Sequence, residues 1–267
     1  MSVLEGFLLG IIQGLTEFLP VSSSGHLVLF QNLFGVEGNT FTFDLCVHFA
    51  TLIAVCTVYW QDLMSYAKKP FTKPVFLLIA ATIPAIIAAL FLEDWIKDFF
   101  QTGNSLGIGF LFTALVLLVV SKIPSGKKSI EKAGIADAFV IGFGQAIALF
   151  PAISRSGMTI SASLARGLKR EEASKFSFLM SIPVILGAVL FDLVDVVKDP
   201  SLVAGIHVSA LLVGMIAAGL SGYFAVRFMI KVVNNGKLKY FSYYLFVIAA
   251  FVLVDQLFIG KVFNKLF

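Results

Sequence analysis

Six long apolar blocks limit what this chain can fold into. Five of them have 17–24 residues, within the roughly 17–25 that a helix needs to cross the hydrocarbon core of a bilayer, and the block at 176–191 is marginal with 16. In lipid, only helices and closed barrels satisfy their backbone hydrogen bonds, and barrel strands would alternate polar with apolar residues. These blocks are continuous instead, so we expect an all-α membrane protein with six transmembrane helices. The expected spans are residues 43–60, 74–92, 105–121, 176–191, 203–226 and 241–259.

The composition excludes other classes of protein. Of the 267 residues, 58% are apolar and 13% are charged, whereas soluble domains have about 45–50% and about 25%. Disorder requires low hydrophobicity and high net charge, which this chain lacks. The net charge of +4 is spread over the loops between the apolar blocks. This pattern argues against a nucleic-acid partner and indicates membrane lipids as the surroundings.

Most basic residues are concentrated in four loops. Residues 61–73, 122–134, 166–175 and 227–240 hold 15 of the 20 Lys and Arg residues, and the positive-inside rule places these loops in the cytoplasm. No Lys or Arg precedes Lys68, so the N-terminus lacks the basic region of a signal peptide and is expected outside. The loops expected outside are the one that contains Glu37, the one at 92–104 with Glu93, Asp94 and Asp98, and the one at 192–201.

Two stretches do not fit a simple zigzag of spans. Residues 135–165 lie between two cytoplasmic loops and residues 3–34 between two outer ends, so each is expected to form a re-entrant hairpin. Each hairpin is followed by three spans, an odd number, so the second half is upside down relative to the first. We expect a single domain built as an inverted-topology repeat, residues 1–134 and 135–267, of the kind found in transporters.

The two hairpins also match in sequence at an offset of 132 positions. The alternative is a chance similarity between two breaks that are rich in Ser and Gly, but the charge pattern supports the repeat independently. The matching pairs are Gly10 and Gly142, Gln13 and Gln145, Ser22 and Ser154, Ser24 and Ser156, and Gly25 and Gly157.

The first hairpin carries polar residues around a helix break. Gln13 and Glu17 are four residues apart and share a helix face. Pro20 ends that helix and Ser22 can cap the next one, whose N-terminus offers free amides and a partial positive charge to an anion. His26 is either a satisfied polar residue at a helix start or, close to Glu17, an acid, a base or a nucleophile.

The second hairpin has a similar break and adds a cation. Arg155 stands between apolar runs, and an arginine at a helix centre in a bilayer costs about 2.5–3.5 kcal/mol on insertion scales, so it requires an anion. That anion is either Glu17, in a buried ion pair that fixes the hairpins together, or a bound phosphate. The serines and glycines at both tips favour the phosphate. The expected phosphate-binding tip residues are Ser22, Ser24, Gly25, Ser154, Ser156 and Gly157.

Two polar residues at the start of the first span form a secondary candidate. Asp44 and His48 are also four apart, and they either orient His26, ligate a metal or are solvated at the interface. Asp137 and Asp255, near the ends of apolar segments, are interpreted as surface or capping residues.

Two motifs together closely resemble a known family. Residues 17–26 (EFLPVSSSGH) and 154–159 (SRSGMT) resemble the undecaprenyl-diphosphate phosphatase family of the integral-membrane, bacitracin-resistance type, and the resemblance runs through essentially the whole chain. It implies hydrolysis of undecaprenyl diphosphate to the monophosphate on the outer face of the plasma membrane, which recycles the lipid carrier for cell-wall glycans. It also implies a polyprenyl diphosphate lipid as substrate and a divalent cation, Mg²⁺ or Ca²⁺, as cofactor. A homo-oligomer is left open.

The resemblance also assigns roles by position. Gln13 and Glu17 match the family's metal element, and Ser23 matches a serine proposed as nucleophile. His26 matches the family histidine, and Ser23 or His26 would attack the terminal phosphorus while the other assists proton transfer. The phosphate-binding motif corresponds to Ser154, Arg155 and Thr159.

Three positions depart from the family's pattern. Gln13 replaces an acidic residue seen in many members, which weakens a metal site made of two carboxylates, and Ala50 and Ala152 stand where glycine is usual. The alternative function is a transporter or flippase of a lipid-linked phosphate or another anion, because inverted repeats are typical of transporters. The joint occurrence of Glu17 with a serine and a histidine favours hydrolysis.

Overall fold

The regular secondary structure of the described part is helical, apart from one isolated bridge between Lys128 and Leu168. The computed structural model describes residues 1–36, 38, 40–102, 105–203 and 207–263, and only the backbone of residues 93–102. Glu37 and the side chains of Glu93, Asp94 and Asp98, which were assigned to outer loops, lie outside the described residues. The α-helices of the described part are α1 (Val3–Phe18), α2 (Ser23–Phe34), α3 (Phe41–Val58), α4 (Trp60–Lys68), α5 (Lys73–Thr102), α6 (Leu106–Ser121), α7 (Ile135–Ile147), α8 (Arg155–Ala165), α9 (Arg170–Lys198), α10 (Val208–Asn234) and α11 (Lys239–Val254).

Five of these helices are long and apolar enough to cross a membrane. They are α3, the part of α5 from Lys73 to Leu92, α9, α10, and α11 together with the π-helical turn Asp255–Ile259 that follows it. The remaining apolar block, residues 105–121, forms α6, which has only 16 residues and is about 24 Å long, shorter than the roughly 30 Å of the hydrocarbon core. Lys122 and Pro124 follow α6 directly and end it. The chain is therefore a multi-pass helical protein in which five of the six expected blocks form candidate spans and the block at 105–121 forms a helix of nearly its predicted extent.

Two pairs of shorter helices lie where the hairpins are expected. α1 and α2 have 16 and 12 residues, and α7 and α8 have 13 and 11; at about 1.5 Å per residue, none reaches across the hydrocarbon core. Ser22 caps α2 by accepting a hydrogen bond from the N–H of Gly25, and Ser154 caps α8 by accepting one from the N–H of Gly157. The predicted serine caps are confirmed, and they occupy matching positions in the two breaks.

Glycines let each short helix pack closely against a long one. α1 lies along α10, and α7 lies along α5. A methyl group at Gly10 would overlap the backbone of Gly214, and one at Gly142 would overlap the carbonyl of Ala81. Such close approach is how helices associate in lipid, where apolar surface gains nothing by leaving the hydrocarbon. The helix that carries Glu17 is thus held against α10 along its length.

The outer faces of the long helices are apolar. On α5, side chains at helical spacing are all substantially exposed, namely Phe76, Ile79, Ile83, Ile86 and Leu90. In water such a stripe would be a large apolar patch, which monomeric soluble proteins rarely expose. The stripe is therefore a lipid-facing surface.

Two acidic residues that were interpreted as surface or capping residues are buried caps. Asp137, in the first turn of α7, accepts hydrogen bonds from the side chains of Lys128 (2.8 Å) and Arg166 (2.7 Å). It also accepts one from the backbone N–H of Gly134, the N-cap residue of α7. Burial alone would raise the pKa of Asp137, but these donors hold it at about 2. Asp255 accepts three backbone N–H groups at residues 261–263. The capping interpretation is confirmed, and the surface one is wrong.

Candidate active site

One carboxylate joins the two helix breaks. Ser23, the first residue of α2, donates from Oγ to Oε2 of Glu17 (2.6 Å), and Arg155, the first residue of α8, donates from Nη2 to Oε1 (2.6 Å). Gln13, one turn earlier on α1, donates from Nε2 to Oε2 (3.0 Å). The side chains of Glu17 and Arg155 are 7% and 14% exposed. The structure therefore brings together four of the predicted site residues.

Both helix N-termini meet at this carboxylate. Because Ser23 and Arg155 are the first residues of α2 and α8 and each binds one oxygen of Glu17, the two helix starts lie on either side of it. The first amides of a helix have no partner within the helix, and the helix dipole adds a partial positive charge there. The site is therefore electropositive around a single negative group, an arrangement that suits a further anion.

Two polar atoms beside the carboxylate have no hydrogen-bond partner among the described residues. They are Nη1 of Arg155 and Oε1 of Gln13, and both are buried. A buried polar atom without a partner costs about 1–3 kcal/mol, so such atoms mark a place where a ligand can supply the bond. The Arg155 donor suits a phosphate oxygen, and the Gln13 acceptor suits a cation. Arg155 therefore pairs with Glu17 through one nitrogen, and its other terminal nitrogen is buried without a partner among the described residues.

The other tip hydroxyls are engaged within the protein. Ser156 donates to the carbonyl of Leu19 (3.0 Å), which ties α8 to the first break. Thr159 shares a hydrogen bond with Ser177 on α9 (2.6 Å) and donates to the carbonyl of Arg155 (2.9 Å). The structure thus turns the Thr159 hydroxyl towards α9 rather than towards Glu17. At the first tip the hydroxyl oxygens of Ser22 and Ser24 are 3.3 Å apart. At the second tip those of Ser154 and Ser156 are also 3.3 Å apart.

The two tip glycines permit close packing of the breaks. A methyl group at Gly25 would come within 2.7 Å of the Phe110 ring and 2.9 Å of the Cβ of Ala152. One at Gly157 would come within 3.4 Å of Pro20 in the other break. The two distances at Gly25 are shorter than carbon atoms tolerate, so a larger residue there would push α2 away from Phe110 and from the second break, whereas the contact of Gly157 with Pro20 is close to ordinary.

His26 lies at the same tip but faces away from the carboxylate. Its Nδ1 is 2.7 Å from the carbonyl oxygen of Ser22, and its Nε2 is 2.8 Å from the hydroxyl of Tyr244 on α11. The imidazole is 1% exposed and meets the edge of the Phe110 ring at a centroid distance of 5.1 Å. Both ring nitrogens are therefore occupied, and neither is bonded to Glu17.

Asp44 and His48 have separate surroundings. The carboxylate of Asp44 accepts hydrogen bonds from Gln31 (2.9 Å) and Thr40 (3.1 Å). His48 donates from Nδ1 to the backbone carbonyl of Asp44 (2.7 Å), and its Nε2 lies 3.8 Å from Oε2 of Glu17. The structure therefore brings His48 to the edge of the site, whereas the Asp44 side chain binds neighbours of its own.

Sequence reasoning missed Tyr244. It lies 218 positions from His26 and in a run of aromatic residues that includes Tyr240 and Tyr243. Nothing local in the sequence distinguishes it from those neighbours, because the signal is a contact between two helices far apart in the chain.

The chain is similar to known proteins over nearly its whole length. The profile of a family described as bacitracin resistance protein BacA matches residues 6–251, which include all the site residues above. An undecaprenyl-diphosphatase of Carboxydothermus hydrogenoformans is 45% identical over 256 residues, covering 96% of this chain and 98% of that protein. Undecaprenyl-diphosphatase 3 of Bacillus cereus is 43% identical with the same coverage. An undecaprenyl-diphosphatase of Halothermothrix orenii is 37% identical, covering 95% of this chain and 98% of that protein.

Proposed function

Because the chain belongs to the bacitracin resistance protein BacA family, we propose that it hydrolyses undecaprenyl diphosphate to undecaprenyl phosphate and inorganic phosphate and so confers bacitracin resistance. The observation that carries this proposal is the Glu17 carboxylate, which is bonded at once to Ser23 and to Arg155, with Nη1 of the arginine left over for a phosphate oxygen. The product is the lipid carrier that cell-wall glycan synthesis reuses.

The phosphate end of the substrate is held by positive groups. Nη1 of Arg155 donates to an oxygen of the terminal phosphate, and the N-termini of α2 and α8 add their free amides. These groups are fixed before the substrate arrives, so they stabilise charge that builds up on the phosphate oxygens without reorganising. Their arrangement supports cleavage of an anhydride bond, which needs mainly positioning and charge stabilisation.

Of the two candidate nucleophiles, the contacts support Ser23. Its hydroxyl already donates to Glu17 at 2.6 Å, so the carboxylate is placed to take the proton. The oxygen then attacks the terminal phosphorus, the bond to the bridging oxygen breaks, and undecaprenyl phosphate leaves with that electron pair. Water hydrolyses the phosphoserine to inorganic phosphate. His26, whose two nitrogens are both hydrogen bonded, assists proton transfer.

The residues present also fit a divalent cation that is shared with the substrate. No group of three or more His, Cys, Asp and Glu side chains that could hold a metal occurs among the described residues. Mg²⁺ commonly binds through one or two carboxylates together with substrate phosphates and waters. Glu17 and the unpartnered Oε1 of Gln13 would hold Mg²⁺ or Ca²⁺ against the diphosphate. When bound, the cation would neutralise charge on the diphosphate oxygens.

The helix packing supports the inverted repeat. The first short helix of each half packs against the second long helix of the other half, α1 on α10 and α7 on α5, and α6 packs against α11. We place the basic loops in the cytoplasm of a plasma-membrane protein, with the site open to the outer face. Six helices cross the bilayer, which thins locally around the short α6, and the two hairpins are re-entrant. Reporter fusions after residues 37, 66, 98, 128, 197 and 235 test this topology. Two consecutive fusion sites on the same side would contradict it.

Phosphate release by the purified full chain in detergent tests the activity. We expect wild-type protein to release inorganic phosphate from undecaprenyl diphosphate in the presence of Mg²⁺ or Ca²⁺ and Ser23→Ala to lose at least about a thousandfold in kcat. Substrate labelled in its terminal phosphate should leave label on the wild-type protein after a rapid quench and none on Ser23→Ala. Ser201→Ala, in the exposed 3₁₀ turn Pro200–Val203, serves as the control. A fully active Ser23→Ala would remove serine as the nucleophile, and no release by wild type with either cation would favour the transporter.

A further inference from the structure

His26 is held by two partners on opposite sides of its ring. The carbonyl oxygen of Ser22 lies 2.7 Å from Nδ1, and the hydroxyl of Tyr244 lies 2.8 Å from Nε2. The Tyr244 ring is also stacked on the imidazole, with an angle of 14° between the planes and 5.7 Å between the centroids. One tyrosine therefore fixes both the plane of the ring and the direction of its second nitrogen.

The two hydrogen bonds together select one tautomer. A carbonyl oxygen only accepts hydrogen bonds, so Nδ1 of His26 carries a hydrogen and donates it to Ser22. In the neutral imidazole Nε2 is then the acceptor, and the Tyr244 hydroxyl is its donor. Without that hydroxyl, Nε2 would be a buried acceptor in a largely aromatic pocket, because the remaining ring neighbours are Phe30 and Phe110.

α11 is itself fixed at the height of Tyr244. Ser242, two residues earlier, donates to the backbone carbonyl of Ala114 on α6 (2.7 Å), and Leu245, the next residue, is fully buried in the cluster that contains Phe110. Tyr244 is 41% exposed, so it lies at the rim of the site. These contacts fix the register of α11 against α6 and with it the place of the hydroxyl.

We propose that Tyr244 is a positioning residue for the hydrolysis, because its hydroxyl donates to Nε2 of His26 and so holds the neutral imidazole in the tautomer with hydrogen on Nδ1. The inference rests on the proposed function, in which His26 assists proton transfer. A proton-transfer group must be held in both orientation and tautomer to act in the transition state. Tyr244 does this for His26 without touching Glu17 or Arg155.

Tyr244→Phe tests the proposal, because it keeps the stacked ring and removes the hydroxyl. We expect kcat for phosphate release to fall roughly threefold to tenfold, the effect of one lost hydrogen bond, with KM unchanged. Tyr243→Phe, the next residue on α11 and 52% exposed, removes a hydroxyl from the same helix and should leave both constants as in wild type.

A spectroscopic signature separates positioning from a general loss of structure. In protein labelled with ¹⁵N at histidine, the Nε2 resonance of His26, assigned by its absence from His26→Gln, should move in Tyr244→Phe and stay in place in Tyr243→Phe. If wild type is active, two results would refute the role of Tyr244 and leave the proposed function standing. One is a kcat of Tyr244→Phe equal to that of Tyr243→Phe, and the other is an unmoved Nε2 resonance in Tyr244→Phe. If wild type releases no phosphate, the proposed function fails and the positioning role fails with it.

Discussion

Replacing Arg155 by lysine separates the two roles of its guanidinium. In the structure Nη2 pairs with Glu17, while Nη1 is buried without a partner among the described residues. Lysine keeps a positive charge that can reach the carboxylate, but it is a compact point charge and does not present two nitrogens in a fixed fork. Arg155→Lys should therefore preserve the link between the hairpins and lose the phosphate contact.

The burial of the pair sets the expected magnitudes. The charged atoms of Arg155 and Glu17 are 2.6 Å apart, and the Glu17 side chain is 7% exposed. Arg155→Ala would leave that carboxylate buried and unpaired, which costs about 3–5 kcal/mol of unfolding free energy. Arg155→Lys keeps the pair and should cost only about 1 kcal/mol, the net value of a typical hydrogen bond. Removing one donor that stabilises transition-state charge costs about 2.7–4 kcal/mol, so kcat should fall by about 10²–10³.

Thermal unfolding in detergent and initial rates of phosphate release measure the two effects separately. Arg166→Lys is the matched control, since Arg166 also pairs with a buried carboxylate, Asp137, but lies outside the candidate site. We expect Arg155→Lys and Arg166→Lys to lower Tm by similar amounts and only Arg155→Lys to lower kcat. Wild-type kcat in Arg155→Lys, or an equal loss in the control, would refute a phosphate contact by Arg155.

Two further predictions concern the scaffold and are measured as Tm in detergent. Gly10→Ala should destabilise the protein by about 1–3 kcal/mol because the methyl group overlaps Gly214. Gly187→Ala in α9 is the control, and it should stabilise the protein by up to about 1 kcal/mol because no atom lies within 4 Å of the new methyl group. Equal shifts of Tm in the two variants would contradict the tight α1–α10 contact. The pKa of Asp137 is lowered to about 2 by its hydrogen bonds to Lys128 and other donors, so its carboxylate stabilises the fold above about pH 4 and that contribution is lost as the pH falls towards about 2. Wild-type Tm should therefore drop over this range more steeply than that of Asp137→Asn, and parallel curves would refute the assignment.

The helix breaks could be predicted from the sequence because their signals are local. Pro20 cannot continue α1, and Ser22 and Ser154 cap the helices that follow. Helix lengths could be predicted less well. The block at 105–121 forms α6 (Leu106–Ser121) with the predicted end, but α5 and α9 extend to Thr102 and Lys198, beyond the spans predicted at 74–92 and 176–191. Hydropathy reports where lipid is tolerated and not where backbone hydrogen bonding stops.

The site could be predicted only where physical chemistry demands a partner. An arginine in the membrane requires an anion. That cost leaves Glu17 and a bound phosphate as alternatives and the tip residues favour the phosphate, whereas the structure pairs Arg155 with Glu17. The direction of a hydroxyl or an imidazole does not follow in this way. Thr159 faces Ser177 and His26 faces Tyr244 because of how α8 packs on α9 and α2 approaches α11, and neither packing leaves a local pattern.

Both helix breaks contain a residue with a strained backbone, and the second break is hydrogen bonded to α6. Ser22 and Ala152 have φ of +71° and +59°, a conformation that costs a residue other than glycine roughly 1–2 kcal/mol. The carbonyl oxygen of the strained Ser22 accepts a hydrogen bond from His26. At the second tip, the carbonyl oxygen of Ala152 lies 3.4 Å from Oγ1 of Thr113 on α6. The same Oγ1 accepts a hydrogen bond from the backbone N–H of Ser154. Such conformations persist only where the surroundings determine them. Thr113 is fully buried and bonds to none of the site side chains described above, yet it holds the second tip in the shape that brings Arg155 to Glu17.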